Sequence, residues 1–273
     1  MNTPRMDPAT GLGRVSVRPE AEAFRGGTGE TAVLLCHGFT GSPKSLRAWA
    51  EDLVRRGYTV DLPRLPGHGT DWRELNTTAW TDWYACVERA FVELAREHRT
   101  VFVFGLSMGG SLALRLAAEH ADRVAGVVLV NPSVRDPDPR LFALPLLKRL
   151  TPSIAGITND IALPGVDEGG YDRLPLWALG SLTRLWRDVR GRLDQVTAPL
   201  LLFRSETDHV VDPSSARLIL EAVNSRTTEE IVLRRSYHVA TMDADAPEIF
   251  DRSAAFCSVI AEQAWSAGSE GVT

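Results

Sequence analysis

The 273-residue sequence predicts an α/β protein with a mostly parallel central sheet that is covered by helices on both faces. Short, continuous apolar runs recur along the chain, and such runs are typical of strands buried on both faces of a parallel sheet. Between them lie segments in which apolar residues recur at helical spacing. Hydrophobic residues make up 44% of the chain and charged residues 24%, which is typical of a globular protein. The alternation therefore predicts strand–helix units in one large domain.

The elements follow one another regularly. The first clear strand is the run Ala-Val-Leu-Leu-Cys at 32–36. A helix predicted at 45–56 comes next, with Leu46, Trp49 and Leu53 on one stripe. The same reasoning predicts strands at 58–62, 101–105, 124–130, 199–203 and 229–233, and helices at 81–98, 108–119, 213–223 and 246–261.

One segment, residues 131–199, interrupts this alternation because it contains no clear strand and is too long for a simple crossover. It holds an apolar run at 141–147 and a glycine-rich acidic stretch at 164–171, followed by a predicted helix. We interpret the part before that helix as a cap over the site. The predicted organisation is an N-terminal tail and lead-in at residues 1–30, a core in two parts at 31–132 and 176–265, a cap insertion at 133–175 and a C-terminal tail at 266–273.

The charge balance gives no reason to expect a nucleic acid or an anionic membrane as partner. The 30 basic and 35 acidic residues give a net charge of −5. No stretch reaches the roughly 20 apolar residues that span a bilayer, and residues 1–20 lack the apolar run of a secretory signal. Cys36, Cys86 and Cys257 have unrelated spacings, which predict neither a disulfide framework nor a metal site. These observations predict a cytoplasmic protein without an integral membrane segment.

Residues 105–109 read Gly-Leu-Ser-Met-Gly, a G-x-S-x-G sequence that places Ser107 between a predicted strand and a predicted helix. A nucleophile elbow requires this context, because its sharp, strained turn holds the serine hydroxyl above the sheet. Gly105 and Gly109 suit a turn whose backbone packs closely against its neighbours. The context predicts an α/β-hydrolase fold with Ser107 as the nucleophile, and the alternative is a glycine-rich turn at a helix start.

A serine hydroxyl needs a neighbouring base to take its proton, and His238 is the histidine in the expected position. In this fold the base lies in a loop after the last strand, which gives the chain order serine, acid, histidine. Of the six histidines, only His238 directly follows the strand predicted at 229–233. His98 and His120 fall at predicted helix ends, where solvated or C-terminal capping roles are expected. The alternative for His238 is a surface loop histidine.

The acid should follow the preceding strand, where Glu206, Asp208 and Asp212 occur. We favour Asp208 because it lies in the middle of the loop. Asp212 directly precedes Pro213 and is typical of an N-cap for the next helix, and Glu206 is the alternative acid. Asp208 would hold the histidine in the tautomer that accepts the serine proton and would stabilise the imidazolium.

Negative charge develops on the carbonyl oxygen of a substrate during attack, so two backbone N–H groups should point at that oxygen. One is the N–H of Met108, the residue after the nucleophile. The other is expected from the loop after the first strand, His-Gly-Phe-Thr-Gly at 37–41, where Phe39 supplies the N–H. His37 in this loop is expected to bond loop backbone and not to act as the base.

Six short motifs occur in order within residues 33–256. They are Leu-Cys-His-Gly-Phe-Thr-Gly at 35–41, Gly-Tyr-Thr-Val at 57–60, Gly-His-Gly-Thr at 67–70, Gly-Leu-Ser-Met-Gly-Gly at 105–110, Asp-His-Val-Val at 208–211 and Ser-Tyr-His-Val-Ala at 236–240. The set resembles bacterial monoacylglycerol lipases and the related small thermostable carboxylesterases. This resemblance implies ester hydrolysis through an acyl-enzyme, no cofactor, and a small cap over a tunnel for the acyl chain.

The resemblance also implies a residue that binds the alcohol part of the substrate. In monoacylglycerol lipases an acidic cap residue shortly before a tyrosine binds the glycerol, and Glu168, three residues before Tyr171, matches by position. The sequence departs from the pattern at Gly169 and Gly170, which replace bulkier residues, and much of 131–160 matches poorly. The alternative for Glu168 is a solvated loop carboxylate.

The sequence therefore predicts a serine hydrolase for a small-molecule ester, with the cleavage of monoacylglycerol to fatty acid and glycerol as the first hypothesis. The alternatives are a generic carboxylesterase for short or medium acyl esters, another reaction on the same triad, and a non-catalytic binding protein of this fold. A homodimer is compatible with the sequence. Apolar residues of the cap segment would suit a fatty chain, and they are Leu144, Leu146, Leu147, Ile154, Ile157 and Ile161.

Overall fold

The computed structural model describes residues 16–269, which form a seven-stranded sheet, a two-stranded sheet and the helices around them. The strands are β1 (Phe24–Gly26), β2 (Thr31–Cys36), β3 (Thr59–Leu62), β4 (Thr100–Leu106), β5 (Val124–Val130), β6 (Ser153–Ala155), β7 (Arg173–Pro175), β8 (Leu200–Ser205) and β9 (Thr228–Leu233). The α-helices are α1 (Lys44–Arg55), α2 (Trp72–Leu75), α3 (Trp80–Glu97), α4 (Met108–Glu119), α5 (Leu144–Leu150), α6 (Leu176–Arg190), α7 (Ser214–Ala222) and α8 (Ala246–Ser269).

The large sheet has the strand order β1-β3-β2-β4-β5-β8-β9. β1 pairs antiparallel with β3, and every other neighbouring pair in this sheet is parallel. The carboxyl ends of parallel strands meet at one edge, so the segments that follow β2, β4, β5, β8 and β9 open on the same side of the molecule. The predicted mostly parallel sheet is confirmed.

Alternate residues of the central strands enter two separate cores. Val33 and Phe102 pack on the face covered by α1 and α8, whereas Leu34 and Val103 pack on the face covered by α3, α4 and α6. Successive side chains of a strand point to opposite faces, so a strand with helices on both sides must be apolar at every position. All seven residues of β4 are buried. Double burial therefore explains the continuous apolar runs in the sequence.

The observed elements match the predicted alternation closely. α4 and β5 have the predicted limits, and the other predicted elements differ by one or two residues at an end, except that α8 continues to Ser269. Its last turn, residues 266–269, falls within the segment predicted as a C-terminal tail. β1 lies in the segment predicted as tail and lead-in, and three residues are too few to show the period of a strand. Residues 1–15 and 270–273 of the two predicted tails lie outside the described residues.

Residues 131–199, in which the sequence shows no clear strand, contain two short ones, β6 and β7, which pair antiparallel with Ser153 opposite Pro175. Each strand has three residues, and the two are far apart in the sequence, so no alternating pattern reveals them. The apolar run at 141–147 forms the end of a 3-10 turn, Pro139–Ala143, and the start of α5. The segment predicted as a cap is therefore built from short elements.

Within residues 16–269, no helix is both long enough and apolar enough to cross a membrane. The same residues contain no group of three or more His, Cys, Asp or Glu side chains arranged to hold a metal ion. Cys36, Cys86 and Cys257 are all free thiols.

Candidate active site

The turn between β4 and α4 is strained at Ser107, whose φ of 55° lies in the left-handed region that non-glycine residues rarely adopt. Its backbone is held on both sides. The N–H of Ser107 donates to the carbonyl oxygen of Val130 at 3.0 Å, and its own carbonyl accepts the N–H groups of Gly110 at 2.9 Å and Ser133 at 3.2 Å. The serine therefore occupies the sharp turn that the G-x-S-x-G pattern predicts.

The two glycines of this pattern lie where no side chain fits. A Cβ atom on Gly105 would be 2.3 Å from the carbonyl oxygen of Gly109, and one on Gly109 would be 1.9 Å from the carbonyl oxygen of Cys36. Both separations are far below van der Waals contact, so the backbone would have to move to accept alanine. The close approach of β2, β4 and α4 explains these two residue types.

His238 and Asp208 form a hydrogen-bonded pair across two loops. The loop after β9 carries His238, whose Nδ1 lies 2.9 Å from Oδ2 of Asp208 in the loop after β8, and both side chains are only 8% exposed. The other carboxylate oxygen of Asp208 accepts the backbone N–H groups of Val210 and Val211, both at 2.8 Å. The pair leaves Nε2 of His238 as the ring atom available to a serine hydroxyl.

The pair has shifted pKa values that suit a base and its orienting acid. Burial opposes ionisation of Asp208, but the charge and hydrogen bond of His238 together with the two backbone donors lower the pKa of Asp208 below its ordinary value. Burial also opposes protonation of His238, but the Asp208 carboxylate outweighs it, and Glu168 and Asp160 add to the effect, so the pKa of His238 is raised. The imidazolium is therefore stabilised electrostatically.

Asn131, directly after β5, joins the ends of β5 and β8 to the histidine loop. Its side-chain amide donates to Ser205 Oγ at 2.9 Å and to the carbonyl oxygen of His238 at 2.8 Å, and its Oδ1 accepts the N–H of Ser205 at 2.7 Å. Asn131 is 2% exposed and has a positive φ of 44°. Sequence reasoning missed this residue, although a polar residue at the end of a buried central strand is a usable signal.

The competing candidates lie elsewhere. Glu206 is exposed. Asp212, predicted as the N-cap of the next helix, lies one residue before the observed N-cap Pro213, and its side chain accepts the N–H of Ser214 at 2.9 Å. His98 and His120 directly follow α3 and α4, where they hydrogen bond to the carbonyl oxygen of Glu30 and to the carboxylate of Glu88. None of these side chains lines the cavity that contains Ser107.

The loop after β2 lies directly against the serine. A Cβ atom on Gly38 would be 3.4 Å from the Cβ of Ser107. Nδ1 of His37 lies 3.0 Å from the carbonyl oxygen of Gly38, and Nε2 of His37 accepts the N–H of Leu65 at 3.1 Å. Burial lowers the pKa of His37 to about 4, so the neutral ring braces the loop. Its predicted bond to loop backbone is present.

Two backbone donors are available next to the serine. Within residues 16–269, neither the N–H of Phe39 nor the N–H of Met108 donates to another protein group. Phe39 lines the cavity that contains Ser107, and Met108 is the first residue of α4. The N-terminus of a helix carries partial positive charge, which favours a developing oxyanion at this position.

A cavity of about 460 Å³ contains Ser107 and His238. Its upper wall comes from the cap segment and α6 and is mostly apolar, a composition that suits an acyl chain. Of the cap residues singled out in the sequence, four line this cavity, namely Leu144, Leu147, Ile154 and Ile157. Leu146 is instead 64% exposed, and Ile161 packs against the core on the α1 and α8 side of the sheet.

Glu168 reaches the same cavity from the cap. Its Oε1 accepts the N–H of Asn159 at 3.0 Å, and its own N–H donates to Asn159 Oδ1 at 2.9 Å. Its Oε2 points toward the loop after β2, where a Cβ on Gly41 would lie 3.8 Å away. Burial raises the pKa of Glu168, while the hydrogen bond from the N–H of Asn159 and the charge of His238 partly offset this rise. The Glu168 side chain thus lines the same cavity as Ser107.

The glycines after Glu168 have a packing role. A Cβ on Gly170 would lie 3.2 Å from Oε1 of Glu168, so a bulkier residue would press on the carboxylate. Tyr171 anchors this segment, because its hydroxyl donates to the carbonyl oxygen of Gly67 at 2.8 Å and accepts the N–H of Thr70 at 2.9 Å. Tyr171 thus fastens the segment that follows Glu168 to the Gly-His-Gly-Thr loop at 67–70.

Among residues 16–269, no hydrogen bond joins the Ser107 hydroxyl to His238, although both side chains line one cavity. Such bonds are commonly long without substrate and tighten in the complex. A strained serine on a strand–helix turn, facing a histidine–carboxylate pair at the carboxyl edge of a parallel sheet, is the arrangement of an α/β-hydrolase.

Comparisons with known proteins agree with this class. A family model described as the alpha/beta hydrolase fold matches residues 31–165. The chain is 42% identical over 238 residues to a thermostable monoacylglycerol lipase from Bacillus sp. (strain H-257), covering 86% of this chain and 94% of the relative. It is 28% identical over 232 residues to a carboxylesterase from Bacillus subtilis (strain 168), covering 84% and 92%.

A solved structure of a metagenome-derived lipolytic enzyme matches with a TM-score of 0.86 and 38% identity, over 89% of this chain and 99% of that one. The chain belongs to the α/β-hydrolase family. Its predicted resemblance to bacterial monoacylglycerol lipases and related carboxylesterases is confirmed.

Proposed function

We propose that this chain hydrolyses monoacylglycerols to fatty acid and glycerol through an acyl-enzyme on Ser107. By family membership the chain is a carboxylic ester hydrolase. The observation that carries the proposed substrate is the carboxylate of Glu168, which lies in the same cavity as the serine and faces it from the cap. The similarity to a monoacylglycerol lipase supports the same substrate class.

In the proposed acylation, Ser107 Oγ attacks the ester carbonyl carbon while Nε2 of His238 takes the hydroxyl proton. The carbonyl π electrons move to oxygen, and the N–H groups of Phe39 and Met108 stabilise the oxyanion. Asp208 holds Nδ1 of His238 and stabilises the imidazolium. The tetrahedral intermediate then collapses, the C–O bond to glycerol breaks, and the imidazolium gives its proton to the leaving oxygen.

Deacylation repeats these steps with water. His238 takes a proton from a water molecule while the water oxygen attacks the acyl carbon. The imidazolium then gives this proton to Ser107 Oγ when the acyl–serine bond breaks. The products are the fatty acid and free enzyme. In this account the chain needs no metal or organic cofactor, because its own side chains perform every proton transfer.

The cap would divide the substrate between two environments. The apolar wall formed by residues such as Leu144, Leu147 and Ile157 supports binding of the acyl chain. The Glu168 carboxylate supports binding of the glycerol, since an ionised carboxylate accepts hydrogen bonds from hydroxyl groups. A free alcohol group next to the scissile ester is what distinguishes a monoacylglycerol from a simple alkyl ester.

A generic carboxylesterase is the second candidate. It is favoured by the fact that Oε1 of Glu168 is already used by the N–H of Asn159, which leaves only part of the carboxylate for substrate. The similarity to a carboxylesterase supports this alternative.

A comparison of rates on monoacylglycerols of several chain lengths, a diacylglycerol and p-nitrophenyl esters of matched chains separates the two candidates. Ser107→Ala serves as the inactive control. The proposal predicts that kcat/KM is highest for a monoacylglycerol among the glycerol esters. Fast cleavage of p-nitrophenyl esters without measurable cleavage of monoacylglycerol would favour the generic carboxylesterase.

We also propose a cytoplasmic location, which the free thiols of Cys36, Cys86 and Cys257 support, because disulfide-free chains are typical of reducing compartments. Fractionation of cells that express the chain tests this location. The homodimer stays a prediction, and light scattering of the purified protein would test it.

A further inference from the structure

One cap residue outside the predicted triad touches both catalytic loops. Oδ2 of Asp160 accepts the backbone N–H of His209 at 3.1 Å and the backbone N–H of His238 at 3.2 Å. Its Oδ1 lies 2.7 Å from Nδ1 of His209, and its carbonyl oxygen accepts the N–H of Val239 at 3.0 Å. The Asp160 side chain is 9% exposed. A single buried carboxylate thus spans the segment beside Asp208 and the segment that carries His238.

These contacts matter because the acid and the base come from different loops. His209 directly follows Asp208 in the loop after β8, while His238 lies in the loop after β9. The 2.9 Å bond between the two side chains therefore depends on how the loops are placed relative to each other. Asp160 bonds to backbone groups of both loops, so it constrains the spacing of main chains and not only of side chains.

The geometry points to a positioning role: we propose that Asp160 holds the acid loop and the base loop in register from the cap side, so that His238 is aligned for proton transfer. This proposal rests on the proposed triad of Ser107, His238 and Asp208. Asp160 touches no reacting atom in that mechanism, and it acts through the loops that carry the acid and the base.

The attachment of the cap does not depend on Asp160 alone. Asp243, which is 3% exposed, accepts the N–H groups of Ala162 at 2.6 Å and Leu163 at 3.1 Å, and also the N–H of Tyr237 at 2.9 Å. A second buried carboxylate therefore fastens the same part of the cap to the base loop. Loss of the Asp160 side chain should disturb the two catalytic loops without releasing the cap.

The pH dependence of kcat/KM provides a second readout, because the loss of a purely structural contact would not shift it. The ionisable groups that act on the His238 ring are Asp208 from the acid loop and Glu168 and Asp160 from the cap, and each favours the protonated ring. Removal of the Asp160 charge should therefore move the titration of the base toward lower pH. The titration seen in kcat/KM reports this group in the free enzyme.

The test compares Asp160→Asn, Asp160→Ala and His209→Ala in the full chain, with the exposed cap residue variant Asp172→Asn as the matched control. Rates on a p-nitrophenyl ester are measured across pH, together with thermal unfolding. The side chain of Asp160→Asn keeps one acceptor oxygen for the two backbone N–H groups, so kcat should fall about 5-fold. Asp160→Ala keeps no acceptor, and kcat should fall about 100-fold with little change in KM, because small misplacements of catalytic groups have effects of this size.

Both Asp160 variants should show a pH midpoint below that of the wild-type chain, whereas Asp172→Asn should not. His209→Ala retains its backbone N–H and should lower kcat less than Asp160→Ala. The proposal is overturned if Asp160→Asn has wild-type kcat and pH midpoint, or if Asp160→Ala only lowers the unfolding temperature. If Asp160→Ala does not fold, Asp160→Asn decides by itself. A wild-type chain that cleaves no ester would instead refute the proposed function.

Discussion

The two halves of the cavity are built differently. The half below the substrate comes from the carboxyl edge of the sheet, where Ser107 sits in a strained conformation and Gly109 leaves no space for a side chain. The half above comes from α6 and the cap. The elements of the cap are short, and its surface exposes large apolar residues: Phe142 is 91% exposed, Leu150 75% and Leu146 64%. Backbone geometry holds the lower half, whereas side chains shape the upper one.

This difference separates reaction from selectivity. Some groups must be positioned to within a few tenths of an ångström, such as Nδ1 of His238 and Oδ2 of Asp208. They lie on loops that buried hydrogen bonds from Asn131 anchor. Cap side chains that contact only the substrate can vary without disturbing those contacts. We therefore expect substitutions at the edge of the sheet to change the rate for every ester, and substitutions of such cap side chains to change the rate for particular esters. Asp160 differs from them because it bonds to both catalytic loops, so its substitution should change the rate for every ester.

The largest expected effect is on the triad. Ser107→Ala and His238→Ala should each lower kcat by roughly 10⁴- to 10⁶-fold on every ester, because the three residues act as a unit, and Asp208→Asn should lower it somewhat less. Stopped assays with monoacylglycerol and a p-nitrophenyl ester would measure this loss. Near wild-type activity of His238→Ala would show that the base has been assigned wrongly.

A pair of glycines tests the rigidity of the two regions. Gly109→Ala should lower the free energy of unfolding by roughly 1–3 kcal/mol, because its Cβ would lie 1.9 Å from the carbonyl oxygen of Cys36. Gly180→Ala in α6 should raise it by about 0.5–1 kcal/mol, since a helix favours alanine and the nearest atom, Nζ of Lys148, is 3.5 Å away. Urea unfolding measures both. Similar changes in the two variants would contradict the contrast.

The smallest effect is a shift in pH dependence. His238 must be neutral to accept a proton, so kcat/KM should rise with pH, with a midpoint above the ordinary histidine value of 6.5 because the pKa of His238 is raised. Glu168→Gln removes a negative charge that raises this pKa, so its midpoint should lie at lower pH than that of the wild-type chain. The exposed Asp172→Asn is the control. A flat profile with chemistry rate-limiting, or a shift to higher pH, would argue against this electrostatic account.

Sequence reasoning works best where packing demands one kind of residue. Doubly buried strands must be apolar throughout, and a strand–serine–helix turn without space must carry glycines, so the central sheet and the position of Ser107 are predictable. The proposed acid and base, Asp208 and His238, follow from chain order in this fold. These features are visible in a single sequence because each imposes a local pattern.

The cap and the supporting contacts leave no such pattern. Three-residue strands such as β6 and β7 are too short to show an alternation of apolar and polar residues, and their pairing joins residues that are distant in the chain. Asp160 is one carboxylate among 35 acidic residues, and only the folded chain brings it to two backbone N–H groups. The predicted role of Glu168 in glycerol binding rested on the resemblance to a family and not on any local pattern in the sequence.

The most direct test of the separation between reaction and selectivity compares Glu168→Ala with Asp172→Ala on two substrates of the same acyl chain, at pH 8. One is a monoacylglycerol and the other a p-nitrophenyl ester, which lacks the glycerol hydroxyls. A hydrogen bond to a charged acceptor contributes about 1.5–3 kcal/mol, so Glu168→Ala should lower kcat/KM for the monoacylglycerol roughly 10- to 150-fold. The p-nitrophenyl ester should change less than about threefold, and Asp172→Ala should affect neither. Equal losses on both substrates, or no loss on either, would contradict a selective role for the cap carboxylate.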